Sequence, residues 1–316
     1  MLKTSIPKIL PMQTAPQRLG QSVIERIGNT PLIQIVRLVK LSPNVQLLAK
    51  AEWFNPGGSV KDRAALSIIQ DAIRRGVLGK GQTLIDSTSG NTGIAYAMVG
   101  AALGIPIEIV MPENVSMERI QRARAYGAVV RFSDPLEGSD GAIREVRRIV
   151  AEQPDKYFYA NQYNNYANVR AHIQTTGPEI IAQTEGRVTH FVAGIGTSGT
   201  LIGTGKYLKQ LNPNIKVIAV EPADELQVIE GLKHMATAIV PGIYDDKLAD
   251  VKVSVEAEVA YHVTRQLARE EGLFVGFSAG AAMYAAAQVA QSLAEGVVVV
   301  ILPDAGDKYL STGLWK

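Results

Sequence analysis

The chain is predicted to fold as two α/β domains, each with a central, mostly parallel sheet, and with a ligand cleft between them. Three observations carry that reading. Short β-rich runs alternate with helical segments through almost the whole length, 316 residues are enough for two cores of ordinary size, and the 29 glycines and 15 prolines are spread along the chain. Alternation of this kind argues for parallel sheets covered by helices, and the length supports two cores better than one.

The strand-like runs are TLID (83–86), IEIVM (107–111), AVVRF (128–132), THFVA (189–193), KVIAVE (216–221) and VVVVIL (297–302). Between them lie helical patterns such as SMERIQRARAYG (116–127) and YLKQLNP (207–213). The polar, tyrosine-rich stretch YANQYNNYANVRAH (159–172) is the best candidate for a domain junction, which divides the chain into residues 1–164 and 165–316. In sheets of this class ligands gather at the carboxyl ends of strands, so the loops that follow strands carry the functional information.

Composition removes several classes of function. Hydrophobic residues make up 47% and charged residues 20%, which fits a globular protein. A formal net charge of only +2, with no basic stripe interleaved with aromatics, gives no reason to expect nucleic acid or an anionic membrane as partner. There is no cysteine, so disulfides, thiolate metal sites and a cysteine nucleophile are excluded. His172, His190, His234 and His262 are scattered without metal-ligand spacing, and no bound metal is expected. The first residues lack the apolar core of a signal peptide, and a cytoplasmic location is expected. No acid precedes Glu25, a faint transit-peptide feature, but an arm packed on a partner subunit is the preferred reading of the N-terminus.

One residue is out of place. In N-P-G-G-S-V-K-D-R (55–63), Lys61 stands where an amphipathic helix begins, marked by Ala65, Ile68, Ile69, Ala72 and Ile73, with Gly76 as its stop. The first turn of a helix is positive, so a cation there is disfavoured by about 0.3 to 1 kcal/mol. Asp62 suits the position; Lys61 does not.

Three strand-following loops give the lysine a context. S-T-S-G-N-T-G (87–93) places hydroxyls, an amide and backbone N–H groups at a helix start, a cup for a carboxylate or phosphate, where a plain N-cap would account for one polar residue only. G-I-G-T-S-G-T (194–200) matches G-x-G-x-x-G, with Glu221 ending the next strand, which is the dinucleotide fingerprint. Yet Thr197, Ser198 and Thr200 surround it with hydroxyl donors that better suit a terminal phosphate monoester. G-F-S-A-G-A-A (276–282) opens an alanine-rich helix, and its small residues also suit close helix packing, so Ser278 alone decides nothing. A lysine kept neutral by a helix terminus and burial, beside a phosphate cup and a carboxylate cup, is what pyridoxal phosphate chemistry requires, because a neutral amine condenses with an aldehyde.

N-P-G-G-S-V-K-D-R-A, S-T-S-G-N-T-G, G-I-G-T-S-G-T and G-F-S-A-G together resemble the β-family (fold type II) pyridoxal phosphate enzymes, and within it the cysteine synthases (O-acetylserine sulfhydrylases). The resemblance runs in order from I-G-N-T-P-L (27–32) to Y-L-S-T-G (309–313), and K-D-R-A-A-L-S-I-I, T-T-G-P-E-I and G-D-K-Y-L-S-T-G are most like the B isozymes. It implies that Lys61 holds the cofactor and moves protons, that Asn91 meets the cofactor's 3-hydroxyl oxygen, and that Ser278 faces its pyridine nitrogen. Gly196, Thr197, Ser198, Gly199 and Thr200 would bind the phosphate. Thr88, Ser89, Gly90 and Thr92 with Gln162 would hold the substrate carboxylate, and Gly242 would line the cleft. The implied reaction is β-replacement of acetate in O-acetyl-L-serine by sulfide through an aminoacrylate, in a homodimer with part of residues 30–55 crossing into the C-terminal domain.

Departures from the B pattern bear on the sulfur donor. The stretch before P-G-I reads G-L-K-H-M-A-T-A-I-V, in which Lys233 and His234 keep positive charge while Met235 replaces a tryptophan, so thiosulfate stands beside sulfide as a donor. O-phosphoserine is disfavoured because E-P-A-D-E-L (221–226) offers acids where an arginine is expected. A stand-alone cystathionine β-synthase using homocysteine, a nicotinamide oxidoreductase built on G-x-G-x-x-G, and association with serine acetyltransferase are the other readings.

Overall fold

The computed structural model describes residues 21–315, apart from Ser89 and Val228. Strands β1 (Leu32–Gln34) and β2 (Asn44–Ala51) come first, followed by α1 (Lys61–Arg74), β3 (Thr83–Ser87), α2 (Asn91–Leu103) and β4 (Ile107–Pro112). Next are α3 (Met117–Ala125), β5 (Val129–Ser133), α4 (Gly138–Glu152), β6 (Tyr157–Tyr159), α5 (Tyr166–Gln174) and α6 (Thr176–Gln183). The chain ends with β7 (His190–Gly194), α7 (Gly199–Leu211), β8 (Lys216–Pro222), β9 (Val251–Val255), α8 (Ala257–Gln266), α9 (Phe277–Ser292) and β10 (Glu295–Leu302), and short helical turns join several of these.

The valine run at the C-terminal end is the centre of the larger sheet. That sheet has the order β1-β2-β10-β7-β8-β9, and only the β1–β2 pair is antiparallel. Val298, Val299 and Val300 are fully buried, packed on one face against Ala279, Ala282 and Met283 of α9 and on the other against Phe191, Leu201 and Val217. A strand covered on both faces needs apolar residues without alternation, and each buried valine contributes roughly 1.5 to 3 kcal/mol. The smaller sheet, β5-β4-β3-β6, is wholly parallel. Leu84, Ile107 and Ile109 face Ala95 and Val99 of α2, and Ile85 and Val110 face Val146 of α4.

Topology decides where a ligand can sit. In the smaller sheet the chain runs outward through β3, β4 and β5, then returns to place β6 on the other side of β3. In the larger it runs through β7, β8 and β9 and returns to place β10 on the other side of β7. Loops on either side of such a reversal diverge and leave a crevice at the strand ends. Those loops are 88–90 and 160–165 in one sheet, and 195–198 and 303–305 in the other.

β1 and β2 belong to the larger sheet, with Leu302 of β10 level with Ala51 of β2, so the loop after β2 carries the chain from that sheet to α1. A buried ionic cluster fixes this passage. Arg63 of α1 meets Glu52 at 2.7 Å and Glu179 of α6 at 2.6 Å, while Lys50 of β2 reaches Glu179 at 2.7 Å. Removing one member of such a cluster strands a buried charge, at a cost of about 3 to 5 kcal/mol. No helix among the described residues is long and apolar enough to cross a membrane.

Candidate active site

Lys61 is the first residue of α1, as the sequence pattern predicts. Its N–H donates to the Ser59 hydroxyl at 3.2 Å, and Asp62 accepts the Gly57 N–H at 2.5 Å, which closes the glycine turn before the helix. Lys308, from the C-terminal segment, donates to the Gly58 carbonyl at 2.5 Å and holds the same turn from the other side. The side chain of Lys61 is half-buried and lines a cleft. Loss of water around the ammonium pulls its pKa down to about 8, and the Asp304 carboxylate opposes part of that fall. A lysine at a positive helix end is therefore a lysine held ready to lose its proton.

The first loop forms one wall of the same cleft, which Thr88, Asn91 and Thr92 line. Ser89 lies outside the described residues. Gly90 takes φ +153°, which L side chains rarely adopt, and a side chain there would collide with the stem of Arg119. Its N–H donates to the Thr88 hydroxyl at 3.0 Å. Thr92 donates to Gln162 Oε1 at 2.8 Å, and Gln162 Nε2 donates to the Ser87 carbonyl at 2.6 Å, so residues from the loops after β3 and β6 meet at the topological reversal. Beneath them Asp86 is fully buried, accepting the Gln162 N–H at 3.1 Å and the Tyr96 hydroxyl at 2.9 Å. Burial pushes its pKa up to about 7 against these donors.

The second loop faces the first from the larger sheet, and Gly196 and Thr197 line the cleft. Its side chains are held from behind by α5. Asn168 donates to the Thr197 hydroxyl at 3.0 Å, and Thr200 pairs with His172 Nε2 at 3.2 Å, while His172 Nδ1 meets Thr176 at 2.9 Å. Burial, with the positive charges of Arg63 and Lys61, holds His172 well below its ordinary pKa, so the ring is neutral. Gly199 packs so closely on Asn168 that a β-carbon would collide with its amide. Ser198 takes φ +69°, and its buried hydroxyl has no partner among the described residues. An open buried hydroxyl beside the first-turn N–H groups of α7 is a donor set that fits a terminal phosphate. Glu221, which a dinucleotide reading would aim at a ribose, accepts the Met235 N–H at 3.2 Å.

The remaining predicted residues sit around this core. Ser278, near the start of α9, is buried against Gly231, a lining residue of the cleft. Gly242 donates its N–H to Asn164 Oδ1 at 2.9 Å and does not contribute to the described lining. The positive charge expected from Lys233 is compensated: its ammonium meets Asp140 of α4 at 2.7 Å and lies over the Tyr163 ring. His234 bonds Thr237, and Met235 is in the core beneath the larger sheet.

Two residues escaped the sequence reading. Arg119 of α3 lines the cleft, lies over the Tyr309 ring at 4.7 Å and is ion-paired with Glu230. Asp304 is fully buried just past β10 and accepts Asn91 Nδ2 at 2.8 Å, joining the larger sheet to the start of α2. The rule that strand-following loops carry function points to Asp304 as directly as to the other three loops. Arg119 sits in the first turn of a charged helix and gives no local signal.

Comparison with known proteins finds relatives over nearly the whole chain. A cysteine synthase of Aquifex aeolicus is 50% identical over 100% of this chain and 98% of its own length. Cysteine synthase B of Pseudomonas aeruginosa is 41% identical over 93% of this chain and 97% of its own. The crystal structure of a cysteine synthase from Entamoeba histolytica superposes with a TM-score of 0.91 at 35% identity, covering 97% of this chain and 94% of that one. Residues 23–304, which take in the lysine, both cups and Ser278, match the family described as pyridoxal-phosphate dependent enzyme, and the chain belongs to that family.

Proposed function

We propose that this chain is a cysteine synthase that replaces the acetate of O-acetyl-L-serine by sulfide to give L-cysteine. The observation that carries the reading is that Lys61, the loop of Thr88, Asn91 and Thr92 with Gln162, and the loop of Gly196 and Thr197 line one cleft. Bound pyridoxal phosphate supplies an electron sink for a substrate carbon that has lost its proton.

Ser198, Thr197 and Thr200, with the N–H groups of Gly196 and Gly199, hold the phosphate. Asn91 meets the 3-hydroxyl oxygen, and Ser278 meets the ring nitrogen as a neutral partner. Thr88, Ser89, Gly90, Thr92 and Gln162 hold the substrate carboxylate. Lys61 Nζ removes the α-proton and later returns one; with its pKa near 8, the amine exchanges protons readily near neutrality. Gly242 belongs to the outer part of the same substrate region. The asparagine loop after β3 closes on the bound carboxylate and excludes water.

Sulfide is the donor best suited to this cleft. Lys233 and Arg119 are matched by Asp140 and Glu230, and Asp224 and Glu225 stand at the outer mouth, which disfavours thiosulfate and O-phosphoserine alike. The chain acts as a cytoplasmic homodimer, and serine acetyltransferase is a lesser candidate partner. The test is product analysis of the cofactor-loaded protein with O-acetylserine and, separately, sulfide, thiosulfate and homocysteine. Cysteine formed fastest with sulfide supports the reading. Turnover only with homocysteine would move the chain to cystathionine synthesis, and no turnover with any donor would remove the proposal.

A further inference from the structure

We propose that Asp304 is a positioning residue for this reaction: its buried carboxylate pins the amide of Asn91 and is the counter-charge for Lys61. The inference rests on the cysteine synthase reading and assigns work within it to a residue that none of the recognised motifs contains.

The backbone places Asp304 at the meeting point of the three loops that matter. It pairs with Ser59 in an isolated bridge, and Val60 donates to the Pro303 carbonyl at 2.8 Å, which ties it to the turn before Lys61. Gly276 donates to its carbonyl at 3.2 Å and Ala305 pairs with Val275, which ties it to the loop before Ser278. Its side chain then reaches the start of α2. Oδ2 accepts Asn91 Nδ2 at 2.8 Å and the Tyr309 hydroxyl at 2.8 Å. Oδ1 is buried without a hydrogen-bond partner among the described residues, as is Oδ1 of Asn91. A carboxylate with one oxygen open, buried beside a lysine, is costly unless a charge faces it.

Three cations act on it. Lys61 approaches from α1, Arg119 from α3, and Lys308, 4.0 Å from Oδ2, from the C-terminal segment. Each of the last two has another acid: Glu230 is paired with Arg119, and Asp62 and Asp307 act on Lys308. Among the described residues Asp304 is the acid whose charge acts on Lys61, and the neutral His172 feels the charge of Lys61 in turn. For Asn91, one Nδ2 hydrogen is committed to Asp304, so the amide plane is fixed and the second N–H remains for a ligand.

The experiment uses the full chain prepared without cofactor and then reloaded. The rate of pyridoxal phosphate capture is followed across pH, because capture requires the neutral amine. If wild-type protein captures none at any pH, the cysteine synthase reading fails before this one is tested. If it does, Asp304→Asn should move the midpoint of the rate profile down by about one pH unit, the size expected for loss of a nearby opposite charge. Asn retains the acceptor for Asn91 and Tyr309, which guards against a variant that fails to fold. In a second arm, cofactor release is compared for Asp304→Ala, Asn91→Ala and the double variant. Asp304→Ala should speed release about tenfold in the wild-type background and leave the Asn91→Ala protein unchanged, since coupled residues do not act additively. An unshifted midpoint or additive effects on release would each overturn the proposal.

Discussion

The two cups that face each other across the cleft are built alike and supported differently. Each follows a parallel strand beside a reversal of strand order and opens a helix, α2 in one case and α7 in the other. The α7 cup is backed by packed neighbours: Asn168 and His172 project from α5, which packs along α7, and Lys233 donates its N–H to the Ile195 carbonyl at 2.8 Å. The α2 cup draws on three regions, with Gln162 from the loop after β6, Arg119 beside Gly90 from α3, and Asp304 from the larger sheet. A cup backed by packed helices and a loop of its own sheet keeps its shape whether or not it is filled. A cup whose partners come from both sheets changes when those sheets move. The first suits a resident phosphate, and the second suits a substrate carboxylate that comes and goes.

Predictions follow from setting the two cups against the lysine between them. The largest effect is expected at Lys61: Lys61→Ala should lower kcat by about 10³-fold or more, because both the attachment point and the proton carrier are lost. Cofactor added in excess should still bind that variant through the α7 cup. Equilibrium dialysis against pyridoxal phosphate checks this, and loss of all binding would mean that the cup does not stand alone.

Overpacking the rigid cup comes next. Gly199→Ala places a methyl against Asn168 and should weaken cofactor retention about fivefold to 150-fold, the range that about 1 to 3 kcal/mol of strain gives. At saturating cofactor its KM for O-acetylserine should be unchanged. The adaptable cup should show the opposite split. Thr92→Val removes the hydrogen bond to Gln162 and should raise that KM about fivefold, corresponding to about 1 kcal/mol, while steady-state cofactor retention stays as in wild type. If both variants changed both quantities, the distinction between the cups would be lost.

The smallest effect is on stability. In the cofactor-free protein a lysine with its pKa lowered from 10.5 to about 8 destabilises the fold wherever it must carry a proton. Lys61→Met should therefore be more stable by about 2 kcal/mol at pH 7, allowing for partial exposure. The unfolded chain binds the extra proton between pH 8 and 10.5, so wild-type stability rises through that window and the gain from Met fades. Urea titrations at pH 7 and pH 10.5 measure both ends. A gain that did not fade with pH would point to packing rather than charge.

Much of this was legible in the sequence because the informative features are local. VVVVIL, THFVA and KVIAVE are continuous apolar runs, and they form adjacent strands β10, β7 and β8. NVQLLAKA, at β2, is harder to read, since its lysine and glutamine obscure a strand whose Lys50 is buried with Glu179, the Thr30 carbonyl and Gln183 as partners. β6 is three residues long, and β9 is exposed along most of its length, so neither carries a clear pattern. The lysine and the two loops stood out by composition. Asp304 and Arg119 did not, because what makes them matter is the approach of Asn91, Tyr309 and Glu230 from distant parts of the chain. Lys233 showed the reverse: a cation counted as available in sequence is matched in space by Asp140, 93 residues away.

The most direct test of the account is the visible spectrum of the cofactor-loaded protein, recorded before and after O-acetylserine and again after sulfide. The account predicts a yellow protein whose band moves to longer wavelength with O-acetylserine and returns on adding sulfide as cysteine appears, and a Lys61→Ala protein that shows no such cycle. A protein that stays colourless with pyridoxal phosphate, or whose band ignores O-acetylserine, would contradict the claim that Lys61 and the two cups form one active site.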